Sequence, residues 1–161
     1  MNYTNANVRR QDRLLDEQSA RELLKNGEYG ILAMLNETGG IYSVPVNYVW
    51  DGERSLYFHC AVEGRKLRCI DNNNVVSFCV VGRTNVIAEK FSTEYESIVL
   101  ECKAFRNLPE EEKMKAFRLI LEKYTPDEIV KGMQYAKEAF SKTEIVRLDI
   151  ENWSGKSKLL K

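Results

Sequence analysis

Histidine, proline and paired cysteine are scarce in this chain, and each scarcity closes a class of function. One histidine, His59, and four cysteines (Cys60, Cys69, Cys79 and Cys102) with no CxxC among them give no zinc-ligand spacing, so no metal site is expected. The first ten residues are polar and lack the apolar core of a secretory signal, which points to reduced thiols and a cytoplasmic protein. No apolar run approaches the roughly 18 residues of a spanning helix, so no membrane partner is expected. An excess of charge of either sign is also missing: 24 basic residues face 24 acidic ones. That removes the electrostatic case for nucleic acid or an anionic membrane surface. There is no internal repeat, no low-complexity stretch and no dividing linker. The 161 residues therefore read as a single domain large enough to bury a core, with 1–15 as a loose N-terminal arm.

What the chain does contain is a series of short alternating strands separated by turns. Asp16, with Ser19 and Glu22, can cap a helix over 17–25 whose apolar face is Ala20, Leu23 and Leu24. Asn26-Gly27 is expected to end it in the left-handed conformation. Strands are predicted at 29–35 and 41–50, and Asp51-Gly52 signals a hairpin into a strand over 55–61. A helix over 64–72 precedes strands at 75–81, about 85–91 and 97–106. Pro109 and three glutamates open a helix with Met114, Phe117, Leu119, Ile120 and Leu121 on its apolar side. Thr125-Pro126-Asp127-Glu128 reads as a capping box opening a second helix to about Phe140. A last strand at 144–150 sets Ile145, Arg147 and Asp149 against Val146, Leu148 and Ile150. Seven short strands and few helices argue for a mainly β fold: an antiparallel barrel with peripheral helices.

Two segments carry chemistry. In the first, Leu56-Tyr-Phe-His-Cys-Ala-Val-Glu-Gly-Arg-Lys66, a strand runs into Gly64, Arg65 and Lys66 at a helix start. Arg65 and Lys66 read either as solvated residues of a surface helix or as a phosphate cradle. In a cradle, glycine allows close approach and the helix N-terminus adds free N–H groups. In the second, Tyr42-Ser-Val-Pro-Val-Asn-Tyr-Val-Trp50, Pro45 interrupts a strand and marks an edge or a bulge. Its unpaired backbone is either a bare edge or a place for a flat, hydrogen-bonding ligand. Period-two geometry puts Phe58 and Cys60 inside the barrel and His59, with Tyr57 and Ala61, outside. His59 is either a packed or solvent-facing residue or a proton donor with a near-neutral pKa. Tyr48, Trp50 and Trp153 are aromatics that could stack on a planar ring or serve as core and dimer contacts.

Pro45-Val-Asn-Tyr-Val-Trp50, the block from Leu56 to Leu67, and Tyr95-Glu-Ser97, in that order, resemble the pyridoxamine-phosphate-oxidase-like flavin proteins. Within them the nitroimidazole-resistance branch is the most similar, over about 9–156. The resemblance implies a split β-barrel homodimer with FMN, or alternatively FAD, in each of two clefts between subunits. By position, the main chain of Pro45, Val46, Asn47 and Tyr48 and of His59, Cys60 and Ala61 would line the isoalloxazine. Arg65 and Lys66, beside Gly64, would hold the phosphate. Glu96, Ser97, Trp153 and Lys156 would come from the partner subunit. The implied activity is a reductase that passes electrons from NADH or NADPH through the flavin to a small planar or nitro-aromatic acceptor. The further basic residues with which the oxidase branch binds pyridoxal phosphate are not found, which argues against vitamin B6 oxidation. The same resemblance accommodates a protein without turnover, a flavin- or haem-binding sensor, carrier or store.

Overall fold

Alternating apolar residues on successive strands build one curled sheet in the computed structural model, which describes residues 1–159. In chain order the elements are β1 (Asn2–Tyr3), α1 (Glu17–Asn26), β2 (Tyr29–Leu35), β3 (Ile41–Asn47), β4 (Val49–Trp50), β5 (Ser55–Ala61) and α2 (Arg65–Asn72). They continue as β6 (Val75–Ile87), β7 (Ser92–Phe105), α3 (Glu110–Tyr124), α4 (Ile129–Glu138) and β8 (Thr143–Lys158). The sheet order is β3-β2-β6-β7-β8-β5-β4, with β1 beside β8. Every pairing is antiparallel except the short parallel one between β1 and β8. The two ends of this order, β3 and β4, are separated in sequence by Tyr48 alone, so the sheet has to curl until its ends meet. This is the mainly antiparallel barrel expected from the strand pattern, in the split form that the family resemblance implies.

Side chains of alternate residues fill the barrel. Leu32, Met34, Leu56, Phe58, Phe78, Val80, Ile98, Leu100, Val146, Leu148 and Ile150 form one cluster, with α1 contributing Ala20, Leu23 and Leu24. A second cluster lies outside the barrel, where α3 and α4 cover β5 and β8. It joins Val49, Tyr57, Ala116, Phe117, Ala136 and Ile145. Tyr57 donates its hydroxyl to Glu112 (3.1 Å), which also takes an ion pair from Arg147 (2.7 Å). Asp16 caps α1 as expected, accepting from the Ser19 N–H at 2.9 Å.

Five expectations need correction. The N-terminal segment is not a loose arm. β1 pairs with Asn152 and Trp153, Tyr3 Oη donates to Leu15 O (2.5 Å), and Leu15 is buried. Gly27 is not left-handed (φ −57°). It is glycine because a Cβ there would sit 2.6 Å from Val80 Cγ1 and 2.7 Å from Tyr48 Oη. The strands expected at 75–81 and 85–91 are one strand, β6, bent by a register shift between Val81 and Thr84. Thr125 makes no side-chain cap; Pro126–Glu128 forms a 3-10 turn and α4 starts at Ile129 and ends at Glu138. The last strand runs on to Lys158, because β7 and β1 both offer partners beyond residue 150. Among the described residues, no helix is long and apolar enough to cross a membrane. No cluster of His, Cys, Asp and Glu among them could hold a metal. All four cysteines are free thiols.

Candidate functional site

β3 ends the sheet, so Pro45 costs nothing on its outer side. It pairs with Ile31 on one side only, and its missing N–H leaves no ladder bond unmade. Pro45 and Asn47 are exposed and Val46 packs half-buried against the core. Asn47 Nδ2 donates to Glu28 O (3.0 Å), which fixes the end of β3 to the start of β2. Tyr48 departs from expectation. Its N–H donates to Tyr124 Oη (2.9 Å), and its carbonyl accepts from Tyr124 Oη (2.7 Å) and Lys123 Nζ (2.9 Å). The main chain of Tyr48 is thus used internally, which leaves 45–47 as the part of this segment open to a ligand. Its side chain is fully buried, donating to Leu24 O (2.6 Å) and edge-on to Phe78.

The end of β5 lies next to this edge. Phe58 is buried in the barrel and Cys60 leans half-buried on the same cluster, while His59 and Ala61 are exposed on the opposite face. The period-two assignment therefore holds, with one addition: at Tyr57 the outer face is covered by α3 and α4. Neighbouring protein around the imidazole lowers the His59 pKa first, and the positive charge of Lys66 lowers it further. Burial raises the Cys60 thiol, with Lys66 acting in the opposite sense. Lys66 therefore lies within electrostatic reach of both.

Beyond β5 the chain turns at Gly64 (φ 144°), a backbone conformation that L side chains rarely adopt, and a Cβ there would meet open space. α2 starts at once, without a side-chain cap and without an acid in its first turn. Its first N–H groups and the positive end of its dipole are left for an external acceptor. Among the described residues neither Arg65 nor Lys66 is in an ion pair. Arg65 lies over the ring of Tyr42, its guanidinium carbon 4.1 Å from the centroid. That contact ties α2 to β3 and brings Pro45–Asn47, His59–Ala61 and Gly64–Lys66 into one neighbourhood.

The other expected residues lie elsewhere in the chain. Ser97 pairs with Lys156, and Glu96 with Ser157, on β7 and β8. Glu96 Oε1 accepts from the Arg83 N–H (3.1 Å). In sheet order β7 stands three strands from β3, so one copy of the chain does not bring the two groups together. Trp153 is a correction. At 2 % exposure it belongs to the core, edge-on to Tyr3 and beneath Arg21, because the strand continues through it and turns its ring inward opposite Leu100. Trp50 packs half-buried against the same core. Tyr42, Lys123 and Tyr124 were missed. Lys123 and Tyr124 lie 75 or more residues from Tyr48, and no local pattern reports such a pairing.

The sequence profile of the family described as pyridoxamine 5′-phosphate oxidase matches residues 16–157. The chain belongs to this family. No curated protein matches it by sequence. Solved structures of similar shape include a candidate 5-nitroimidazole antibiotic resistance protein from Bacteroides thetaiotaomicron. It is 22 % identical, with a TM-score of 0.77 over 90 % of this chain and 86 % of that one. A FAD-binding protein from Mesorhizobium loti is 21 % identical, with a TM-score of 0.64 over 91 % of this chain and 98 % of that one. The FAD- and heme-binding protein of Mycobacterium smegmatis is 16 % identical, with a TM-score of 0.73 over 89 % and 71 % of the two chains. At these identities the likenesses establish the split-barrel fold of this pyridoxamine 5′-phosphate oxidase family member.

Proposed function

We propose that this protein binds a flavin, FMN before FAD, beside Pro45–Asn47 and His59–Lys66 in each of two clefts of a homodimer. There it reduces a small planar or nitro-aromatic acceptor with electrons from NADH or NADPH. The observation that carries the reading is the uncapped start of α2, with two cations that make no ion pair among the described residues, placed against an edge strand whose backbone is open at 45–47. A phosphate at Gly64–Lys66 would receive helix N–H groups and two charge-assisted donors. The edge at 45–47 would meet the hydrogen-bonding rim of a planar ring. The flavin would supply the transfer of electrons between nicotinamide and acceptor; the protein positions it and tunes its charge.

His59 would give the acceptor its proton. Its lowered pKa leaves the imidazole mostly neutral at pH 7, so turnover should rise as the pH falls toward that pKa. The register supports the dimer. Asn47 pairs with Tyr29, and Ser97 pairs with both Val81 and Lys156, all on the outer face of the sheet. Ile31, Cys79 and Val99 form the adjacent row, and Tyr29 (55 %), Val81 (54 %) and Val99 (44 %) leave this face apolar and exposed. Two copies packed through it about a two-fold axis would carry Ser97 and Lys156 of the partner subunit toward Asn47.

The test is the absorption spectrum of purified protein, mass analysis of what denaturation releases, and NADH or NADPH oxidation with and without a nitroimidazole. Colourless protein that takes up neither FMN nor FAD overturns the reading. Bound flavin without nicotinamide oxidation leaves the reading of a flavin- or haem-binding carrier, sensor or store. Sedimentation at about twice the 18.6 kDa chain mass is expected, and a monomer that keeps its flavin would contradict the cleft.

A further inference from the structure

Tyr42 sits on β3 opposite Met34, half-buried, with its ring packed against the barrel core. The core fixes the ring's position, and the Arg65 guanidinium lies 4.1 Å from its centroid. An arginine on an exposed helix start ordinarily samples many rotamers, and ordering it for a ligand costs side-chain entropy. A cation held on a rigid aromatic face has already lost much of that freedom, and its planar donors remain free at the edge. Arg65 makes no ion pair among the described residues that would draw it away, whereas Arg68, one turn on, reaches Glu37 at 3.6 Å.

We infer that Tyr42 is a positioning residue: it holds Arg65 ready for the terminal phosphate and so makes the site select phosphate-bearing flavins over riboflavin. This rests on the flavin reading above. Tyr42 touches no phosphate itself; it acts through Arg65. Its contribution appears only for ligands that Arg65 contacts.

The test measures dissociation constants for FMN and riboflavin with wild type, Tyr42→Leu, Tyr42→Phe, Arg65→Ala and the double variant Tyr42→Leu/Arg65→Ala. Tyr42→Leu should weaken FMN about fivefold, the size of an exposed cation–π contact, and leave riboflavin within about twofold. Tyr42→Phe, which keeps the aromatic face, should bind FMN as wild type does. In the Arg65→Ala background Tyr42→Leu should add nothing. The riboflavin constant also reports whether each variant is folded. An unchanged FMN-to-riboflavin ratio of dissociation constants in Tyr42→Leu, with that ratio raised in Arg65→Ala, overturns the role of Tyr42 and spares the flavin reading. The same loss in both backgrounds overturns it too, since Tyr42 would then act independently of Arg65. Wild type that binds neither ligand overturns the flavin reading itself.

Discussion

Replacing Tyr124 by phenylalanine removes one oxygen atom and leaves ring and helix in place. That oxygen accepts from the Tyr48 N–H (2.9 Å) and lies 2.7 Å from Tyr48 O and 2.6 Å from Glu28 O. The three partners do not suffer equally. Tyr48 O keeps Lys123 Nζ at 2.9 Å, and Glu28 is exposed, so water can replace the hydroxyl there. The Tyr48 N–H, on a residue with no exposed surface, has no such substitute. An orphaned buried N–H costs about 1–3 kcal/mol, so Tyr124→Phe should destabilise the protein by about 2 kcal/mol. In a chain of this length that lowers Tm by about 4–8 °C. Urea denaturation should show a lower midpoint at unchanged slope. Hydrogen exchange should show the Tyr48 amide losing protection ahead of its neighbours in β5. A midpoint that moves by less than about 0.5 kcal/mol, with that amide still protected, would refute the reasoning. It would show that the junction between β3 and β4 is held by packing alone.

Three further outcomes follow from the same structure. Gly30→Ala would place a Cβ 2.2 Å from Phe78 Cε1, inside a fully packed barrel, and should cost about 1–3 kcal/mol or more; Phe78→Leu in the same chain should recover part of the loss, read by denaturant midpoint. His59 is the only histidine, so its imidazole resonances titrate alone in an NMR experiment. They should report a pKa below the ordinary 6.5, and Lys66→Ala should move it upward, because a positive neighbour has been removed. Because this folded-state pKa is depressed, His59 adds a small stability that is present at neutral pH and lost as pH falls through the ordinary value toward the folded one, and Lys66→Ala should shrink it. Finally, if Arg65 and Lys66 hold the flavin phosphate as proposed, alanine at both would remove two charge-assisted bonds of about 1.5–3 kcal/mol each, so FMN affinity should fall at least about a hundredfold while riboflavin binding is unchanged. Equal loss of both ligands would assign the two cations to folding.

The barrel was legible because period-two alternation and turn residues are local signals. Asp51 accepts from the N–H groups of Glu53 and Ser55, as its place before Gly52 suggests. The outward direction of His59 followed from the same alternation. What alternation does not report is how far a strand runs once a partner is available. Residues 151–158 look like a polar tail, yet β7 and β1 give them ladder bonds, and this buries Trp153. Nor does it report the use of a backbone by a distant side chain. Tyr48 lies on a segment correctly read as an edge, but Lys123 and Tyr124 close its main chain from α3. The pairing of Tyr42 with Arg65 is of the same kind: two strands and a helix have to fold before the contact exists.

The junction at Tyr48 also bears on the order in which the molecule is assembled. β2 with β3, and β4 with β5, are hairpins of neighbouring residues, which form on the order of microseconds. One residue joins them, so 29–61 emerges from synthesis as a single strip with β5 unpaired along its far side. The partner of β5 is β8, and Ser55 meets Asp149 across 94 residues. β7 waits for the same strand. Until 143–158 has been made, the nascent chain therefore carries two open strand edges, which are sites of intermolecular pairing. Expression yield should accordingly depend on chaperone capacity during the last stretch of translation, and a chain truncated before Thr143 should aggregate.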